Sequence, residues 1–177
     1  MTIAKHIDQM MAKSSWIRKM FEEGARLKAV HGAENVFDFS LGNPNLPPPA
    51  AFVDHLARLA AQGGHGYMPQ AGFPHVRERV ADYVAAEQKA ALSRDDIIMT
   101  CGAAGALNVA LKALLDPGDE VLTPAPCFVE YGFYVGNHGG VFKTVATADD
   151  FSLDLAALSA AIGPRTKVVL INSPNNP

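Results

Sequence analysis

Residues 96–124 read DIIMTCGAAGALNVALKALLDPGDEVLTP, and this stretch decides the fold. DIIMTC is an apolar run of strand length, AAGALNVALKALL carries apolar residues at helical spacing, and DEVLTP starts a second strand-like run. Gly102 turns the chain between the first two. The alternation continues downstream, with FVEYGFYVGNHG (128–139) helical, VFKTV (141–145) a strand, DLAALSAAI (154–162) helical and KVVLIN (167–172) a strand. Strands with apolar runs, separated by helices of about ten residues, require a mainly parallel sheet with right-handed crossovers and helices on both faces. The expectation is an α/β fold with four strands in this part of the chain.

Upstream the pattern differs. Ile3, Ile7, Met10 and Met11, then Ile17, Met20, Phe21 and Leu27, recur at helical spacing and predict an N-terminal helical arm, with Ser14 and Ser15 as candidate caps and Gly32 as its stop. NVFDFSLG (35–42) alternates like a short strand, with Val36, Asp38 and Ser40 on one face and Phe37, Phe39 and Leu41 on the other. GNPNLPPP breaks it. AFVDHLARLAA (51–61) then reads as a short amphipathic helix, QGGHGYMPQAGF (62–73) as a Gly-rich loop, and residues 74–92 as a longer helix opening on Pro74.

Composition narrows the function classes. With 177 residues, 49% of them hydrophobic and 19% charged, the chain can bury a substantial core. A net charge of −3 offers no basic field for a phosphate backbone, so nucleic acid is not expected as a partner. No apolar run approaches the ~18 residues of a membrane span, and the N-terminus lacks the apolar core of a signal peptide, so a cytoplasmic location is expected. Cys101 and Cys127 match neither a disulfide scaffold nor a metal site, and are read as reduced thiols; no metal centre is expected.

Several positions could carry chemistry. The helix beginning at Gly102 would present free backbone N–H groups and a positive dipole end, which suit a phosphate; a tight connection packed with small residues explains the same pattern. Neither G-x-G-x-x-G nor a P-loop lysine motif is present. Cys101 has no nucleophile frame around it and is read as a packed small residue. Phe128 lies where a planar ring could cover a planar ligand, whereas Phe133 and Tyr134 are read as core. Tyr67 sits in a loop whose glycines allow sharp turns, and His65 and His75 are read as solvated or structural. NSPNNP at 172–177 brings amide side chains to a strand end, where an Asn could donate to an anionic oxygen without adding charge; Asn and Pro are also ordinary turn formers.

Taken in order, LGNPN, GYMPQAGFPHVRERVADY, TCGAAGAL, LDPGDEVLTPAPCFVEY, GG and NSPNNP resemble the first half of a class I/II aminotransferase, a fold-type I pyridoxal-phosphate enzyme related to aspartate aminotransferase. The resemblance runs from about residue 36 to residue 177. It implies the cofactor pyridoxal 5'-phosphate, amino acid and 2-oxo acid substrates, and a homodimer with shared active sites. It further implies that the Gly42 N–H faces the substrate carboxylate, and that Tyr67 reaches the cofactor phosphate of the neighbouring subunit. Gly102, Ala103 and Ala104 would form the phosphate-binding helix start, Phe128 would stack on the pyridine ring, and Asn176 would bond the phenolic oxygen. Residues 1–48 would be an arm and part of a small domain, and 49–177 the first part of the large, cofactor-binding domain.

The chain departs from the family where Ala103 and Ala104 replace the hydroxyl or lysine that many relatives carry. The family's later elements, including the Schiff-base lysine, would lie beyond residue 177, so no catalytic residue is assigned and the chain alone is expected to be inactive. Two other readings share these motifs: another fold-type I enzyme, such as a lyase or decarboxylase, and a non-catalytic binding or regulatory domain derived from the fold.

Overall fold

A computed structural model describes residues 3–40, 42 and 44–176, with side chains at all of these except residues 6 and 12–18. Leu41, Asn43 and Pro177, which the sequence places in the strand and loop motifs, lie outside the described residues. The chain divides into two compact units, Met1–His65 and Gly66–Pro177. The division follows the helix at 50–62, whereas the sequence reading drew a boundary at 48/49.

In the first unit, helix α1 spans Lys5–His31 and stops at Gly32, whose N–H donates to the Lys28 carbonyl at 3.0 Å. The helix runs unbroken through residues 14 and 15, so neither serine begins a helix there. A 3-10 turn at Ala33–Asn35 follows. The strand expected at 35–42 is not formed among the described residues. An extended segment becomes a strand only when a neighbour completes its hydrogen-bond ladder, and here side chains fix it instead. Asp38 accepts from Lys28 Nζ at 2.6 Å and from Ser40 Oγ at 2.6 Å, while Phe37 and Phe39 stay exposed. Helix α2, Ala50–Gln62, carries Phe52, Val53, Leu56 and Leu59 at helical spacing, all exposed.

In the second unit, helix α3 covers Pro74–Gln88 with Pro74 in its first turn, and ends where Lys89 turns left-handed at φ 50°. A 3-10 turn at Arg94–Asp96 is closed by a reciprocal cap, in which Ser93 Oγ accepts from the Asp95 N–H and Asp96 Oδ2 accepts from the Ser93 N–H at 2.9 Å. DIIMTC was expected to be the first strand, but Asp96 belongs to this turn and residues 97–101 form no ladder. Its backbone is satisfied otherwise: the Met99 N–H donates to the Ala71 carbonyl at 2.9 Å, and Arg77 Nε donates to the Ile97 carbonyl at 2.8 Å. The sheet therefore has three described strands instead of four.

Helix α4 (Gly102–Leu114) leads to strand β1 (Glu120–Ala125), helix α5 (Tyr131–Asn137), strand β2 (Val141–Ala146), helix α6 (Leu155–Ala161) and strand β3 (Thr166–Val169). The sheet order is β2-β1-β3 and both pairings are parallel; β1 and β2 run in register from Glu120 opposite Val141 to Ala125 opposite Ala146, while the β1–β3 register shifts between Glu120 and Val121. The two crossovers leave in opposite directions, so right-handed connections put α5 on one face and α6 on the other. Central β1 is sealed, with Val121 and Leu122 fully buried. Leu111, Leu115, Val121 and Val135 form the core, flanked by the half-buried Tyr134, Phe142, Val168 and Leu170. A Cβ at Gly140 would come within 2.8 Å of Val135 Cγ1 and 2.9 Å of Leu115 Cδ1, so the bare backbone lets β2 start against the core.

At the amino end of the sheet, the buried Glu120 carboxylate accepts from Lys143 Nζ at 2.8 Å and from Arg165 Nη2 at 3.0 Å. The Lys143 ammonium, helped by Arg165 and opposed by burial, holds its pKa below the ordinary glutamate value. This cluster ties β1 and β2 to the residue that leads into β3, at the end opposite the loops considered next.

Candidate functional site

Every strand of a parallel sheet presents its carboxyl end on the same edge, where ligands of open α/β folds bind. Here that edge carries the loops after β1 and β3. Asn175 Nδ2 donates to the Pro126 carbonyl at 2.9 Å and joins the two loops. Thr123 Oγ1 donates to the Leu170 carbonyl at 2.9 Å, and Thr147 Oγ1 to the Ala125 carbonyl at 3.0 Å, which aligns all three strand ends.

Between these loops lies a cavity of about 280 Å³, bordered by Cys127, Tyr131, Thr147, Phe151, Asn172 and Asn175 among others. An open hollow of about 340 Å³ adjoins the α4 face, bordered by Ala103, Ala106, Leu107 and Ala110. Tyr131, Leu170, Ile171 and Asn172 border both. Among the described residues no ionised side chain borders either space, and the polar side chains around them are hydroxyls, amides and the Cys127 thiol. Burial pushes the Cys127 thiol pKa up; burial, with Cys127 and Tyr134 nearby, pushes the Tyr131 phenol up. Both groups are therefore neutral at pH 7.

Of the residues singled out on sequence, Gly102, Ala103 and Ala104 occupy the first turn of α4. Gly102 adopts φ +68°, which a side chain would strain, and its N–H donates to the Thr100 carbonyl at 3.0 Å. The helix has no side-chain cap: Cys101, expected to be packed, is exposed and makes no capping bond. Ala103 borders the open hollow. Phe128 is half-buried and meets Tyr131 edge to face, with ring centroids 5.5 Å apart and planes at 83°. Phe128 and the exposed Asn176 border neither space, though their chain neighbours Cys127 and Asn175 do. Tyr67 is exposed and borders neither. Gly42 belongs to the first unit, where a Cβ on it would meet open space.

Tyr131 and Thr147, which border the cavity, were not singled out on sequence; of the amides in NSPNNP only Asn176 was given a role, whereas Asn172 and Asn175 are the ones that border the cavity. For Tyr131 a signal existed, since it follows Phe128 by three residues in the loop and helix after a strand, where the edge rule places ligands. The role of Thr147 depends on how β2 and β1 pair, which local sequence does not encode.

Residues 34–177 match the family model for aminotransferase class I and II. Aspartate aminotransferase of Thermotoga maritima is 35% identical over 164 residues, which are 91% of this chain and 44% of that protein. Aspartate/prephenate aminotransferase of Thermus thermophilus is 38% identical over 138 residues, covering 77% of this chain and 36% of that protein. The crystal structure of an amino transferase from Eubacterium rectale superposes with a TM-score of 0.91 at 35% identity, over 100% of this chain and 46% of that one. This chain thus spans about two fifths of the length of the curated relatives it matches. The α/β architecture, with a parallel sheet flanked by helices and an N-terminal helical arm, agrees with these relatives. On the family match and this similarity, the chain belongs to the aminotransferase class I and II family.

Proposed function

We propose that this chain is the N-terminal portion of a pyridoxal-phosphate-dependent aminotransferase that moves an amino group between an L-amino acid and a 2-oxo acid. The observation that carries the reading is the meeting of two features on one sheet edge in a chain of this family. The uncapped first turn of α4 borders one hollow through Ala103, and a neutral Asn and hydroxyl cluster borders the adjoining cavity. Backbone N–H groups at a helix start suit a phosphate. Neutral amides suit the polar edge of a ring, and the spaces match the small end of ligand sites, about 300 Å³. The residues present therefore fit the cofactor.

When bound, the cofactor supplies an electron sink for the substrate's reacting carbon. In this reading Gly102, Ala103 and Ala104 hold its phosphate, Phe128 covers the ring, and Asn176 donates to the phenolic oxygen. The Asn175 tie to Pro126 steadies the loop that carries Asn176. The Gly42 N–H faces the substrate carboxylate, and Tyr67 reaches the phosphate of the second subunit in a cytoplasmic homodimer. Residues 1–48 form an arm and part of a small domain; 49–177 begin the large domain. No lysine borders either space among the described residues, and in this reading the chain holds the cofactor without a covalent link and does not transaminate.

Equilibrium dialysis of the chain against pyridoxal phosphate tests this. Saturable binding displaced by inorganic phosphate is expected, with no amino transfer from L-aspartate to a 2-oxo acid. A chain that fails to bind would overturn the site, and one that transaminates unaided would overturn the inactivity.

A further inference from the structure

Tyr131 is among the residues at this edge that the reading above leaves without a role. Its side chain is more than nine-tenths buried, with 7% exposure, yet its hydroxyl has no hydrogen-bond partner among the described residues. Every fully buried side-chain nitrogen or oxygen among those residues does have a partner. The Tyr131 hydroxyl is therefore not sealed in, and Tyr131 borders both the cavity and the hollow. A buried ring that ends in an unpaired hydroxyl is costly unless something completes it, because an unmade hydrogen bond retains its desolvation penalty. The ring itself is held: Phe128 packs edge to face against it at 5.5 Å, and it stands at the start of α5 beside buried Val135. Burial also keeps the phenol protonated, so it is a donor at neutral pH.

We propose that Tyr131 is a ligand-positioning residue, whose hydroxyl donates a hydrogen bond to an acceptor on the polar edge of the phosphorylated ring bound between α4 and the strand ends. This rests on the cofactor reading given above. Tyr131 borders both the space beside Ala103 and the space beside Asn175, as Leu170, Ile171 and Asn172 also do, and it brings a phenol hydroxyl to that shared border, where it can fix how the ring is turned relative to its phosphate. A water molecule at the same point would satisfy the hydroxyl without ligand, and the ligand would displace it.

The test compares the full chain with its Tyr131→Phe variant, which keeps the ring and its packing against Phe128. Dissociation constants for pyridoxal phosphate and for inorganic phosphate are measured by equilibrium dialysis, with thermal unfolding of each protein without ligand. The proposal expects pyridoxal phosphate to bind the variant about three- to tenfold more weakly, with phosphate affinity unchanged. In tyrosine-labelled protein, carbon NMR should show a hydroxyl-bearing ring signal that moves on saturation with pyridoxal phosphate and is missing from Tyr131→Phe. Equal affinity of both proteins for pyridoxal phosphate would overturn the role of Tyr131 and leave the cofactor reading intact. Equal weakening for both ligands, with a lower melting temperature, would also overturn it, by marking a structural role. Failure of the unsubstituted chain to bind pyridoxal phosphate would overturn both readings.

Discussion

At the scale of single residues, the features that matter here concern what is missing from a side chain. Gly140 starts β2 so close to Leu115 and Val135 that a methyl group would sit 2.8 Å from Val135 Cγ1. Val135 is fully buried and Leu115 nearly so, and neither can swing into solvent. Gly140→Ala is therefore expected to destabilise the chain by about 1–3 kcal/mol, the usual cost of overfilling a packed core. Urea unfolding would measure it, and an unchanged midpoint would mean that the core yields freely. The GG pair belonged to the motif pattern read from sequence, but its physical basis is this contact, which only the folded α5–β2 connection creates. Asn175 and Asn176 make the same point. The two are chemically identical, adjacent and both exposed, yet of the pair only Asn175 has a side-chain hydrogen bond among the described residues, to the Pro126 carbonyl.

At the scale of elements, β1 organises the second unit, because both neighbouring strands and the core depend on it. Its first residue, Glu120, is buried with Lys143 and Arg165 on its carboxylate. The folded pKa lies below the ordinary value of 4.5 while the unfolded one does not. Unfolding at low pH therefore takes up a proton at Glu120. The contribution of this group is complete above the ordinary glutamate range and is lost as pH falls through the depressed value. Glu120→Gln should be less stable at neutral pH, and its unfolding midpoint should change less with pH on the acid side of that range. Denaturant titrations of both proteins across that window check this, and parallel curves would show that Glu120 is not the acid-sensitive tie. Elements were legible where periodicity and burial agreed, as in α4, β1 and α6, which lie within a residue or two of their expected bounds. They were misread where an apolar run had no strand beside it, as at 35–42 and 96–101.

At the scale of the molecule, β2 and β3 are the outer strands of a small sheet, and nothing pairs with their outer edges among the described residues. Large apolar side chains also remain exposed, including Val141 and Val169 on those strands. Unpaired edges and bare apolar surface favour association. Sedimentation of the isolated chain should show self-association that increases with concentration, and a monomer unaffected by concentration would contradict this. The architecture followed from sequence, and with it the expectation of a site at the edge to which a parallel sheet brings its strand ends. The membership of that edge did not follow. Tyr131 and Thr147 join it through pairing and packing between segments far apart in the chain.

The sequence by itself determined the α/β alternation, the parallel direction of the strands, the helix start at Gly102 and the family. These depend on local periodicity, on turn chemistry and on short motifs in order. Only the tertiary structure decided that DIIMTC stays outside the sheet, that Asn175 joins the loops, that Gly140 admits no methyl group and that Tyr131 is buried with its hydroxyl unpaired. Each of these is a relation between segments, set by which groups meet once the chain has closed, and no local pattern carries that information.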